Sequence, residues 1–204
     1  MTDLLVVVAD QDCEEAMHAL LDRPEALHIR AVNYRLVRNV LRDSGCRTDI
    51  VSLLRPYLGR CERALVVFDR EGSGAEQQSR EEIEAAVEHD LRVNGWGDHA
   101  AAVVIDPELE AWVWSDSEHV DAALGWGGRG PEVRSWLKSH TEYWPANTDK
   151  PERPKEAMRQ ALREARKPVS ASLFRRLAER VSVNRCADPA FDKLKRVLHD
   201  WFGA

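Results

Sequence analysis

The sequence predicts an α/β fold: a mostly parallel sheet flanked by helices, with an α-helical C-terminal extension. Three observations carry that prediction. Leu4–Ala9, Ala64–Phe68 and Ala101–Ile105 are unbroken apolar runs, the pattern of strands covered on both faces. Segments with apolar residues at helical spacing separate them. After Ile105 only helical patterns follow.

Taken in order, the run in "MTDLLVVVADQD" follows an acid and is too short for a signal peptide or a membrane span, so it reads as the first strand. A helix follows over Cys13–Leu21, with Ala16, Met17, Leu20 and Leu21 on one face. A weaker second strand is expected near His28–Val32, then a helix over Ile50–Leu58 and the strand Ala64–Phe68. Glu76–Val93 places Ile83, Val87 and Leu91 at i, i+4 and i+8, before the strand Ala101–Ile105. The alternation of strand and helix argues for a doubly wound sheet.

All seven tryptophans lie at or beyond Trp96, so the later half must bury large rings. "GWGGRGPE", Gly125 to Glu132, reads as a turn, and "PANTDKPERP", Pro145 to Pro154, as a boundary. Amphipathic helices are expected over Lys155–Ala165, Ala171–Val181 and Pro189–Trp201, the last with Asp188 as N-cap and Pro189 in its first turn. The chain therefore divides into an α/β core (1–116), a helical connection (117–149) and a basic helical segment (150–204).

At 204 residues, 44% hydrophobic and 31% charged, the chain suits one soluble domain with a sizeable core. Cysteines at 13, 46, 61 and 186 form no CxxC pair, which argues against a zinc site or a disulfide framework and for a reducing, cytoplasmic setting with no membrane partner. Charge is segregated. Residues 150–204 hold fourteen Lys/Arg against seven Asp/Glu, leaving fifteen against twenty-eight for residues 1–149. A carboxylate-rich body with a basic tail suits a metal-dependent enzyme acting on a polyanion, although basic solvated helix faces explain the tail equally well.

Three strands run into acids: "ADQDCEEAM", "FDREGSG" and "IDPELEAW". In a parallel sheet these ends share one edge, where ligands bind. Carboxylates gathered there repel one another unless a cation intervenes. Asp69 and Glu71, one residue apart and followed by glycines, offer two oxygens to one ion and a backbone that a phosphate can approach. Asp10 and Glu14 approach each other if helix begins at once. Asp12, Glu15 and Glu108 read as ordinary first-turn acids.

"VVVADQDCEEAM", "ALVVFDREGSG" and "VVIDPELEAWVWSD" resemble the signature segments of Toprim-like proteins, closest to the small stand-alone members of bacterial genome-defence loci, which are related to the Toprim domains of OLD-type nucleases. The resemblance spans roughly residues 4–116. It implies a Mg²⁺- or Mn²⁺-dependent nuclease with Asp10, Glu14, Asp69, Glu71 and Glu110 as catalytic acids, of which Asp10, Asp69 and Glu71 hold the metal. Asp10 stands where Glu is usual and Glu71 where Asp is usual, changing each reach by one methylene. Nucleic acid is the implied partner, held by Arg175, Arg176, Arg180, Arg185, Lys193, Lys195 and Arg196, with other subunits of a defence system as further partners. The alternative is a non-catalytic Toprim-like subunit that binds a partner or nucleic acid, which an exposed Trp112 or Trp114 would favour.

Overall fold

The computed structural model describes residues 2–115, 117–180, 183, 186 and 188–203. Among them, strands β1 (Thr2–Val8), β2 (Tyr34–Arg38), β3 (Cys61–Asp69) and β4 (Ala100–Ile105) form one parallel sheet in the order β2-β1-β3-β4. The apolar runs explain the central pair: Leu4–Val8 of β1 and Ala64–Phe68 of β3 are fully buried. Alternate side chains feed two layers. Val6, Val8, Leu65, Val67 and Val103 enter one, and Val7, Val66, Phe68 and Val104 the other.

Helices α2 (Arg42–Thr48), α3 (Ile50–Leu54) and α4 (Arg80–Leu91) cover the second layer with Cys46, Ile50, Leu54, Ile83, Val87 and Leu91. The first is covered by α1 (Gln11–Leu21) together with α5 (Glu118–Ala123), α6 (Val133–His140), α7 (Pro154–Glu164), α8 (Ala171–Arg180) and α9 (Pro189–Phe202). Residues from all three sequence segments thus share one apolar layer.

Three elements differ from expectation. The second strand is Tyr34–Arg38 and not His28–Val32, because an edge strand pairs on one side only and tolerates exposed Arg35 and Arg38, one on each face. The helix expected over Ile50–Leu58 is α3 followed by a 3₁₀ turn at Arg55–Tyr57, and α2 precedes it. Helix α4 starts at Arg80 and not near Glu76, because Ser79 and Glu82 form a reciprocal capping box. Val181, expected in α8, lies outside the described residues. Helix α9 begins as the sequence predicts, with the Asp188 carboxylate accepting from Ala190 N at 3.0 Å and Phe191 N at 3.3 Å.

The outer edge of β4 is closed by side chains. Glu84 and Glu88, one helical turn apart on α4, accept from Val104 N at 2.9 Å and Ala102 N at 3.0 Å. Lys193 of α9 bridges both carboxylates at 3.1 and 2.7 Å, and Arg80 binds Glu84 at 2.9 Å. Glu84→Ala should therefore cost about 3 kcal/mol in chemical denaturation, since it strands a buried N–H and two cations. A loss under about 1 kcal/mol would mean that water takes the carboxylate's place.

Candidate functional site

Parallel pairing brings the carboxyl ends of the strands side by side, with Val8 opposite Val67 and Asp69 opposite Ile105. Asp10 caps α1: its Oδ1 accepts from Cys13 N at 3.0 Å, and its Oδ2 meets Arg42 Nη2 at 3.2 Å. Asp69 closes β3, and its N–H donates to Asp43 Oδ1 at 2.9 Å, which ties the first turn of α2 to the strand end. The chain then follows β4 outward, with Arg70 N on Ile105 O at 2.8 Å and Glu71 N on Pro107 O at 3.0 Å. Glu110 lies buried in the 3₁₀ turn Leu109–Trp112.

Asp69 is half-buried at the carboxyl end of β3. Burial pushes its carboxyl well above the usual range, and Asp43, Glu110, Asp10 and Glu108 push it further. Glu110 is raised to about 7, chiefly by burial, with Lys155 opposing the shift and Glu108 and Asp12 adding to it. Asp43 and Asp12 are also raised by burial, and Asp10 adds to both. These acids converge without enough positive charge among them.

One cation enters from the C-terminal segment. Lys155, near the start of α7, places Nζ 2.9 Å from Glu108 Oε2, while its N–H donates to Glu108 Oε1 at 3.1 Å. Burial lowers the lysine's pKa, but the Glu108 bond and the charges of Glu110, Glu108 and Asp69 outweigh it and raise the value overall. Glu108 is thus a buried ion-pair partner and not a first-turn acid.

No family model, curated protein or solved structure matches this chain. The site must therefore be read from its own geometry.

Asp10 and Glu110 both act on the charge of Asp69, while Glu14 is held by an arginine and Glu71 stands at the rim of the site. Glu14 pairs with Arg38 Nε at 3.0 Å, and Glu71 is exposed in the turn after Asp69. Among the described residues, no three His, Cys, Asp or Glu side chains are placed to hold a metal ion together. The donor chemistry nevertheless fits a hard divalent cation, because clustered carboxylates with raised proton affinity are stabilised by positive charge. The glycine turn differs from expectation. Gly72 and Gly74, at φ 85° and 74°, turn their N–H groups onto Glu76 Oε1, both at 3.0 Å. Its anion cradle is filled by a carboxylate of the chain itself.

The basic residues of the tail are largely engaged. Arg175 pairs with Glu15 at 3.2 Å and with Glu179 at 3.2 Å. Lys193 closes the β4 edge, and Lys195 meets Asp192 at 2.8 Å. Arg176 donates to Ser172 Oγ at 3.4 Å, Arg180 is exposed, and Arg196 borders a hollow with His199 and Asp200. Arg185 lies outside the described residues.

Sequence reasoning missed Asp43 and Lys155, while Asp12 lies in the first turn of α1 as expected. Asp43 had a signal, since "YRLVRNVLRD" is a fourth strand running into an acid. Placing β2 at His28–Val32 hid it. Lys155 had none, because its neighbours at the site are distant in sequence.

Proposed function

We propose that the protein is a Mg²⁺- or Mn²⁺-dependent phosphodiesterase, a nuclease of Toprim type serving bacterial genome or anti-phage defence. The observation that carries this reading is Asp69, whose carboxyl is driven upward by burial and by acids from three neighbouring segments. Asp10, Asp69 and Asp43 are the carboxylates best placed to hold the cation, with Glu71 reaching in from its exposed turn. A divalent cation there supplies charge to the scissile phosphate and acidity to a bound water. Glu110, titrating at about 7, can take or give a proton at neutral pH, as a general acid or base must. Lys155 holds Glu108 and moderates the charge around Glu110.

One observation favours a second reading, a Toprim-like subunit that binds nucleic acid or a partner without cutting. Asp10 and Glu14 are both spent on arginines, and no three-carboxylate cage is assembled among the described residues. Its expected aromatic surface is not there: Trp112 and Trp114 are both buried, bonded to Asp188 Oδ1 and Pro154 O at 3.1 Å each. No described helix is long and apolar enough to cross a membrane.

Incubation with plasmid, linear duplex, single-stranded DNA and RNA in Mg²⁺, Mn²⁺ or EDTA separates the two. The nuclease reading expects cleavage of at least one substrate with either metal, none in EDTA and none by Asp69→Asn. Binding without cleavage under every condition would favour the second reading.

A further inference from the structure

The two edges of the sheet are treated differently. Side chains of α4 close β4, whereas β2 pairs with β1 alone and lies open on its other side. Asn33 O accepts from Leu4 N at 3.3 Å, and Asn39 N donates to Val8 O at 2.9 Å. Bonding residues alternate along a parallel pair, so Arg35 and Val37 turn their peptide groups inward along with Asn33 and Asn39. Those of Tyr34, Leu36 and Arg38 point outward, and no described residue bonds to them. Such a row is a template for another strand, which proteins commonly blunt with charge, as Arg35 and Arg38 do here. Just past the strand, however, Val40 is 92% exposed, more than any other large apolar side chain among the described residues, and Leu41 is 56% exposed.

We propose that a second copy of this chain docks on this edge, pairing β2 with β2 antiparallel about a two-fold axis at Leu36. In that register Leu36 faces Leu36 and Tyr34 faces Arg38, so every outward N–H and C=O of the row finds a partner. The side chains argue for a copy over a foreign strand. Tyr34 and Leu36 lie on the α1 face, where Arg38 would stand opposite Tyr34 of the second copy, whose hydroxyl donates to Asp22 Oδ1 at 2.6 Å. The arginine thus meets an aromatic ring and a carboxylate. On the other face Arg35, stacked on Tyr57 at 5.6 Å, would stand opposite Val37. The charges that deter a like-charged row are therefore never directly opposed. The same register sets Val40 against Val32 of the second copy, which accounts for a large apolar side chain left in water. Two four-stranded sheets become one, with the acid sites at its opposite ends.

Sedimentation across a concentration series should show the parent chain in equilibrium between monomer and dimer. Leu36→Pro should weaken the dimer at least tenfold, because proline removes an outward N–H and no bond to β1. Thermal melting checks that the variant folds. If it does not, Val40→Lys, at a side chain in water in the single chain, should weaken the dimer in the same direction. Hydrogen exchange locates the contact. The amides of Tyr34, Leu36 and Arg38 should slow at least tenfold as the dimer forms, while those of Arg35 and Val37 are protected in the monomer already. A chain that sediments as a monomer at every concentration overturns the proposal. So does a dimer that withstands a folded Leu36→Pro or Val40→Lys, or one in which the three outward amides exchange as freely as in the monomer.

Discussion

Asp69→Asn is expected to melt higher than the parent protein in EDTA, to lose the stabilisation that Mn²⁺ gives the parent, and to lose cleavage by more than about a hundredfold, about 2.7 kcal/mol of barrier. The amide keeps the shape of the carboxylate but removes the charge that burial, Asp43, Glu110 and Asp10 all disfavour. A structural acid would behave the opposite way, since neutralising a cap or an ion-pair partner destabilises. Glu71→Gln, at an exposed carboxylate, should lose the metal-induced rise with little gain in EDTA. Thermal melting of the three proteins with and without Mn²⁺ tests both, and an Asp69→Asn variant that melts lower in EDTA yet keeps the full rise would refute the metal reading.

The same physics sets a pH dependence. Glu110 holds its proton to about 7 in the fold against an ordinary value of 4.5. Its contribution to stability is fully present below the lower value and is lost as pH rises through the higher one, about 3 kcal/mol in all. Asp69, also raised, acts in the same direction. Metal-free protein should therefore be less stable at about pH 8 than at about pH 5.5, and Glu110→Gln should flatten the difference. Below about pH 5 the trend reverses, because carboxylates such as Asp3 and Glu156 have lowered values and lose their partners on protonation.

Lys155→Met is expected to cost about 3 kcal/mol, lowering the melting temperature by roughly 6–12 °C for a chain of this size. The lysine side chain is 36% exposed, but its partner Glu108 is only 4% exposed, and without the ammonium that carboxylate is a buried charge beside other acids. Lys155→Met/Glu108→Gln should recover most of the loss, because it removes the orphaned charge along with its partner. The single variant should also raise Glu110 further, moving the pH-dependent fall to higher pH. A single variant as stable as the parent would show that solvent already screens the pair.

How far the sequence could be read follows from what each element asks of its residues. Strands β1, β3 and β4 are buried on both faces along most of their length, so their continuous apolar runs were legible and placed Asp10, Asp69 and Glu110 at one edge. Strand β2 is an edge, where Arg35 and Arg38 face solvent, and its polar pattern hid both the strand and Asp43 behind it. Side-chain direction was not legible. Glu14 and Glu71 share a spacing with their neighbours, but Arg38 holds the one and an exposed turn carries the other. The tail charges read as a free basic surface because Glu15, Glu84 and Glu88, which neutralise Arg175 and Lys193, are far away in sequence.

The clasp between α9 and the β4 edge also bears on how the chain acquires its structure. Lys193 reaches Glu84 across 109 residues, Trp112 reaches Asp188 across 76, and Arg175 reaches Glu15 across 160. Each of these closures costs loop entropy before any contact rewards it. Such a topology folds slowly compared with a helical bundle, and an intermediate holding only the sheet would leave the first apolar layer bare and open to aggregation. In such an intermediate the carboxylates around Asp69 would gather before Lys155 docks, and protons or free cations would have to stand in for the lysine.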